Sequence, residues 1–139
     1  MNSNFLRLGL AAALAGGLGL AATVASAAET TLHATLSGPG GGSGTATVRV
    51  DEAKNQVCWD LSAKGLSDVT MAHIHKGAAG ANGPPVVPFK PVDASGASKG
   101  CGTATADVAK DLVANPANYY VNVHTKAAPG GAIRGQLGK

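Results

Sequence analysis

Apolar and polar residues alternate with a period of two over most of the chain beyond residue 28. That period marks strands with one buried face. Residues 31–36 place Leu32, Ala34 and Leu36 on one side, and residues 45–51 do the same with Ala46, Val48 and Val50. Residues 57–61 follow with Val57, Trp59 and Leu61, so three strands joined by short turns predict a meander. Further on, Ala72 and Ile74 form the inward set of one strand, and Tyr119, Val121 and Val123 that of another. Residues 86–89 predict only a short or edge strand, because Pro88 has no N–H for a ladder. Residues 100–105 predict a further strand, and residues 132–137 a last one, with Ile133 and Leu137 inward and Arg134 and Gln136 outward.

The breaks are as informative as the strands. Glycine and proline crowd residues 38–44, 77–85 and 129–131, and residues 52–55 (Glu-Ala-Lys-Asn) supply turn formers. Only residues 107–114 carry a helical spacing, with Val108, Leu112 and Val113 on one side and Pro116 as the stop. About eight short strands, one short helix and many turns predict an all-β fold, an antiparallel Greek-key β-sandwich without internal repeats.

Residues 1–27 stand apart. A short n-region with Arg7 leads into an apolar run over 8–25 that contains four glycines, and Ala25-Ser26-Ala27 has the small-x-small form of a cleavage site. The expectation is a cleaved signal peptide over 1–27 and one domain over 28–139, exported to the periplasm or secreted, with no stable membrane span after cleavage. The chain has 139 residues with 11 Lys and Arg against 8 Asp and Glu. The cations are spread evenly, so the concentrated basic stripe that nucleic acid requires is absent. In an oxidising compartment the two cysteines, Cys58 and Cys101, predict a disulfide, since no C-x-x-C spacing suggests a redox or metal pair.

The candidate chemistry lies in Met71-Ala72-His73-Ile74-His75 and in Val121-Asn122-Val123-His124. Residues two apart on a strand share a face, so His73 and His75 point together, and His124 has the matching parity with Tyr120 and Asn122. If the two strands are neighbours, three imidazoles converge. Such a set suits copper, with zinc as the alternative, and the Irving–Williams order favours Cu(II) at nitrogen ligands. His33, outward on the first strand, is a possible fourth ligand. Met71 shares the histidine face as a soft axial candidate, against the plainer reading of strand-end packing. Asn122 is placed to orient His124, and Arg134 to guide an anion toward a metal. Nothing supports a nucleophilic hydrolase, as Gly-x-Ser-x-Gly is missing. The run over 38–44 lacks the Gly-Lys-Ser/Thr ending of a phosphate loop.

Taken in order, Ala72-His73-Ile74-His75-Lys76-Gly77, Gly80-Ala81-Asn82-Gly83-Pro84, residues 118–125 (Asn-Tyr-Tyr-Val-Asn-Val-His-Thr), Pro129-Gly130-Gly131 and Ile133-Arg134-Gly135-Gln136-Leu137 resemble the CHRD domain. That domain was named for its repeats in chordin and is common in exported bacterial proteins. The chain departs from the pattern twice. Pro39 and a glycine run replace a Glu-Val-Pro segment, and Ala132 stands where a glutamate usually precedes Ile-Arg-Gly-Gln. More distantly, the arrangement is similar to copper–zinc superoxide dismutase, which implies an immunoglobulin-like or superoxide dismutase-like sandwich. By that likeness His73, His75 and His124 match three copper ligands, and Arg134 matches the anion guide. No histidine lies between His75 and His124 to serve as the bridging ligand. The expectation is therefore a copper-binding exported protein rather than an enzyme, with a dismutase as the one enzymatic candidate and a metal-free binding or structural module as the other alternative.

Overall fold

A computed structural model describes residues 16–17, 19–23 and 28–139. The expected signal peptide, residues 1–27, lies largely outside the described residues. Eight antiparallel strands form one nearly closed sheet: β1 (Thr30–Ser37), β2 (Ser43–Asp51), β3 (Gln56–Lys64), β4 (Val69–Lys76), β5 (Pro85–Phe89), β6 (Ser98–Thr103), β7 (Tyr119–Thr125) and β8 (Ile133–Gln136). Their order across the sheet is β5-β4-β7-β8-β1-β2-β3-β6, and the two terminal strands approach each other to make a sandwich- or barrel-like body.

The meander β1-β2-β3 follows from the alternation. Leu32 pairs with Val48 and Val48 with Trp59, while Ala34 pairs with Ala46 and Ala46 with Leu61. A one-residue slip would turn these rows to the outside, so the hydrophobic pattern fixes the register. Asn55 closes the β2–β3 turn at φ 53°, a left-handed conformation that asparagine tolerates better than most residues. Trp59 lies across the interior against Phe89 of β5, with ring centroids 4.7 Å apart and planes within 8°. Its indole N–H donates to Ser98 Oγ at 2.9 Å, which satisfies the one polar atom this side chain buries. Cys58 and Cys101 sit opposite each other on β3 and β6, Cα atoms 3.9 Å apart, and form the expected disulfide.

Several element boundaries differ from the sequence reading. β6 ends at Thr103, because Thr105 is the N-cap of helix α1 (Ala106–Ala114) and accepts from the Val108 N–H. The buried face of α1 is Ala109 and Leu112, with Val108 and Val113 only partly covered, and it packs against β2. A 3₁₀ turn, Pro116–Asn118, then delivers the chain into β7. As expected, β5 is an edge of the sheet order. Among the described residues no helix is long and apolar enough to cross a membrane.

Candidate metal centre

β4 and β7 are hydrogen-bonded neighbours, with Met71 opposite His124, His73 opposite Asn122 and His75 opposite Tyr120. All six side chains therefore stand on the face away from the interior. Directly opposed Cβ atoms on such strands are about 5 Å apart and diagonal ones about 7–8 Å, within reach of long side chains. His73, His75 and His124 use that reach. Their ring centroids are 5.2–5.6 Å apart in all three pairs, and one ligand nitrogen from each lies within 4.8 Å of the others.

Their hydrogen bonds settle which nitrogens are free. His75 Nδ1 lies 2.9 Å from the Gly83 carbonyl oxygen, and His124 Nδ1 lies 2.9 Å from that of Pro129. A carbonyl only accepts, so both rings carry their proton on Nδ1 and present an Nε2 lone pair. His124 Nε2 faces His73 Nδ1 at 3.3 Å, and in the metal-free molecule the His73 Nδ1–H donates to it. Among the described residues His75 Nε2 is buried without any partner. Buried polar atoms nearly always have one, so an orphaned imidazole lone pair beside two other imidazoles fits a cation there. The 3.3 Å separation is about what two nitrogens each ~2.0–2.1 Å from one ion would have at a near-tetrahedral angle. The donor set would be His73 Nδ1, His75 Nε2 and His124 Nε2.

The site is electrically prepared for this. Burial, reinforced by His124, His75 and Lys90, pushes His73 down to about 4. Burial also lowers His75, against the opposing pull of the Gly83 carbonyl and with help from His124 and Arg134. Neutral imidazoles are the ligating form, so protons compete weakly for these lone pairs near neutral pH.

Tyr120, Asn122 and His124 stand on the outward face as their parity predicts, yet that face is covered: every residue of β7 is buried, and so is His75. Two loops cover this face. The strap between β4 and β5, residues 77–84, folds over His75 and Tyr120. Gly83 N–H donates to the Tyr120 hydroxyl, and a side chain on Gly83 would collide with the Lys76 carbonyl. The loop after β7 brings Pro129 to His124 and Gly131 against Asn122. Gly131 sits at φ 128°, with no room for a Cβ beside the Asn122 amide. Asn122 bonds the Gly130 carbonyl at 3.4 Å, so its partner is the loop and not His124.

His33 forms a bridge with Gly138, approaches Thr47 Oγ1 at 3.4 Å and is not among the three converging rings. Met71 is 47% exposed, which does not fit strand-end packing. Arg134 does not project freely as a surface charge. Its guanidinium lies 3.5 Å over the Tyr120 ring, and Nη1 donates to Ala81 O at 2.9 Å and Asn82 Oδ1 at 3.3 Å.

The sequence reading missed the residues that orient the rings, namely the carbonyls of Gly83 and Pro129 and the ring of Tyr120. Their signal is present as Gly80-Ala81-Asn82-Gly83-Pro84 and Pro129-Gly130-Gly131, which composition alone marks only as turns.

The two departures noted in the sequence touch one another. Gly40 N–H donates to Ala132 O at 3.0 Å, and a Cβ on Gly40 would come within 2.6 Å of Ala132 Cβ. The glycine run and the small residue at 132 are thus one packing solution.

No curated protein matches the chain. The family model of the CHRD domain matches residues 20–137, a span that includes every strand, both covering loops and all three converging histidines, and the chain belongs to the CHRD domain family.

Proposed function

We propose that this protein, exported to the periplasm or secreted after removal of residues 1–27, binds a single copper ion through His73, His75 and His124. It would act in metal handling or redox protection outside the cytoplasm. The observation that carries the reading is the buried, unpartnered His75 Nε2 on one of three histidines whose ligand nitrogens lie within 4.8 Å of one another. Three nitrogen donors favour copper over zinc when both are available, and three protein ligands leave a coordination position for water or a small ligand. A dismutase role gains nothing from Arg134, whose Nη1 and ring-stacking contacts are made with the strap and with Tyr120.

The test is calorimetric and spectroscopic titration of the purified protein with Cu(II) and Zn(II), beside His73→Ala and His124→Ala. The expected result is one equivalent of copper bound by wild type, with multiple-nitrogen hyperfine structure, and a loss of at least ~100-fold in affinity in each variant, since each removes a direct ligand. Equal, weak and non-stoichiometric uptake by all three proteins would leave a metal-free binding module as the better description.

A further inference from the structure

A column of three side chains runs across the metal face from β4 through β7 to β8. His75 stacks on Tyr120 with centroids 5.0 Å apart and planes within 9°, and the Arg134 guanidinium lies 3.5 Å from the Tyr120 centroid. Because β7 lies between β4 and β8 in the sheet, Tyr120 stands between the other two. The same three residues hold the strap. Arg134 Nη1 donates to Ala81 O and Asn82 Oδ1, Tyr120 Oη accepts from Gly83 N–H at 3.1 Å, and Gly83 O accepts from His75 Nδ1 at 2.9 Å. Gln136 supports both partners, receiving from Arg134 Nη2 at 3.2 Å and donating to Gly77 O at 3.0 Å. The path from guanidinium to imidazole is therefore closed twice, once through the rings and once through the strap backbone.

From this geometry we infer that Arg134 is a positioning residue for the metal ligand His75, not an anion guide. It fixes the strap so that the Gly83 carbonyl selects the Nδ1–H tautomer and aims Nε2 at the ion. The inference rests on the metal-binding reading for its consequence but not for its structural content. A planar guanidinium can lie over the Tyr120 ring while its edge donates to Ala81 and Asn82; a lysine ammonium keeps the charge and can sit over a ring, but lacks the rigid fork. An interaction that orients a ligating histidine typically contributes 10–100-fold in metal affinity.

The experiment compares wild type, Arg134→Lys, Arg134→Gln and Tyr120→Phe. Imidazole ¹⁵N shifts of His75 are read in the metal-free protein, and Cu(II) affinity and hyperfine parameters in the loaded one. Wild type should show His75 as a single Nδ1–H tautomer. Both Arg134 variants should show tautomer exchange at His75 with His124 unchanged, a loss of Cu(II) affinity of about 10–100-fold and altered hyperfine splitting. Tyr120→Phe, which keeps the stack, should show a smaller loss. If the lysine variant retains the wild-type tautomer, affinity and spectrum, charge alone suffices and the positioning role is overturned. Retention of all three by the glutamine variant would overturn it equally. If wild type takes up no copper, the function proposed above fails, while the ¹⁵N readout still decides whether Arg134 sets His75. Should Arg134→Gln not fold, Arg134→Lys carries the test.

Discussion

His73 Nδ1 and His124 Nε2 lie 3.3 Å apart although 51 residues separate them in the chain. Nothing local holds them together. The contact exists because β4 and β7 are adjacent, because their register offsets the two rings by one diagonal step, and because Pro129 turns the His124 ring so that Nε2 faces the gap. Without metal this contact holds one proton between two nitrogens; a divalent ion shared by them would require the neutral His73 ring to carry its proton on Nε2 instead.

Metal should therefore stabilise the fold in a way that depends on this pair. At a free copper concentration about 100 times the dissociation constant, a ligand that binds only the folded state adds about 2.7 kcal/mol. Urea unfolding with and without Cu(II) should show that gain in wild type and none in His124→Ala. A gain retained in His124→Ala would place the ion elsewhere.

Gly83 is the point where the strap is most tightly constrained. A methyl group there would overlap the Lys76 carbonyl, so Gly83→Ala must displace the segment that orients His75. Overpacking of this kind costs about 1–3 kcal/mol. The expected outcome is a destabilised protein whose Cu(II) affinity also falls, measured by denaturation and by competition with a chelator. Loss of stability with unchanged affinity would show that the Gly83 carbonyl is dispensable for the site.

Much of this is legible in the alternation. A period of two places Leu32, Val48 and Trp59 inward, and they form one row across three strands. The shared parity of His73, His75 and His124 is likewise readable, because a strand's two faces are set by local geometry alone. What alternation cannot say is whether the face away from the interior is wet. Tyr120, Asn122 and His124 have outward parity and are buried all the same, under two loops, one of which is bonded by Arg134 and Gln136 from dozens of residues away. Nor does it give strand order: the pairings of β4 with β7 and of β3 with β6 are long-range choices made by packing. His33 has the right chemistry and an outward parity on β1, yet its neighbours are Thr47 and Gly138.

The disulfide and the metal face should be separable. Cys58 and Cys101 link β3 and β6, closing 43 residues of chain, while the ligands stand on β4 and β7. In the chain-entropy model such a loop contributes about 3–4 kcal/mol. Cys58→Ser with Cys101→Ser should lower the unfolding free energy by roughly that amount and leave copper affinity at 25 °C within about twofold, as expected for sites that share no contact. A large affinity loss in a protein that is still folded would mean the two ends of the sheet are coupled.

Acid should weaken the fold through Asp111 in a window that can be stated in advance. This carboxylate on α1 accepts from the Tyr119 hydroxyl at 2.7 Å and from Asn115 at 2.8 Å, and it pairs with Lys76 at 3.3 Å. Tyr119 first, then Asn115 and Lys76, hold its carboxyl below the ordinary value of 3.8, while burial and the same contact push the Tyr119 hydroxyl up. A folded-state value below the unfolded one means that the unfolded chain binds the proton more readily. The stabilisation is therefore complete above about pH 4 and is lost as pH falls through the lowered folded value. Asp111→Asn should cost about 1 kcal/mol at pH 7, the size of a partly exposed hydrogen-bond set. The gap between variant and wild type should narrow as pH falls through that lowered value, below which wild type also presents an uncharged group. Urea midpoints followed from pH 7 into acid check this, and a gap of equal size throughout would assign the loss to helix packing instead of to the charge.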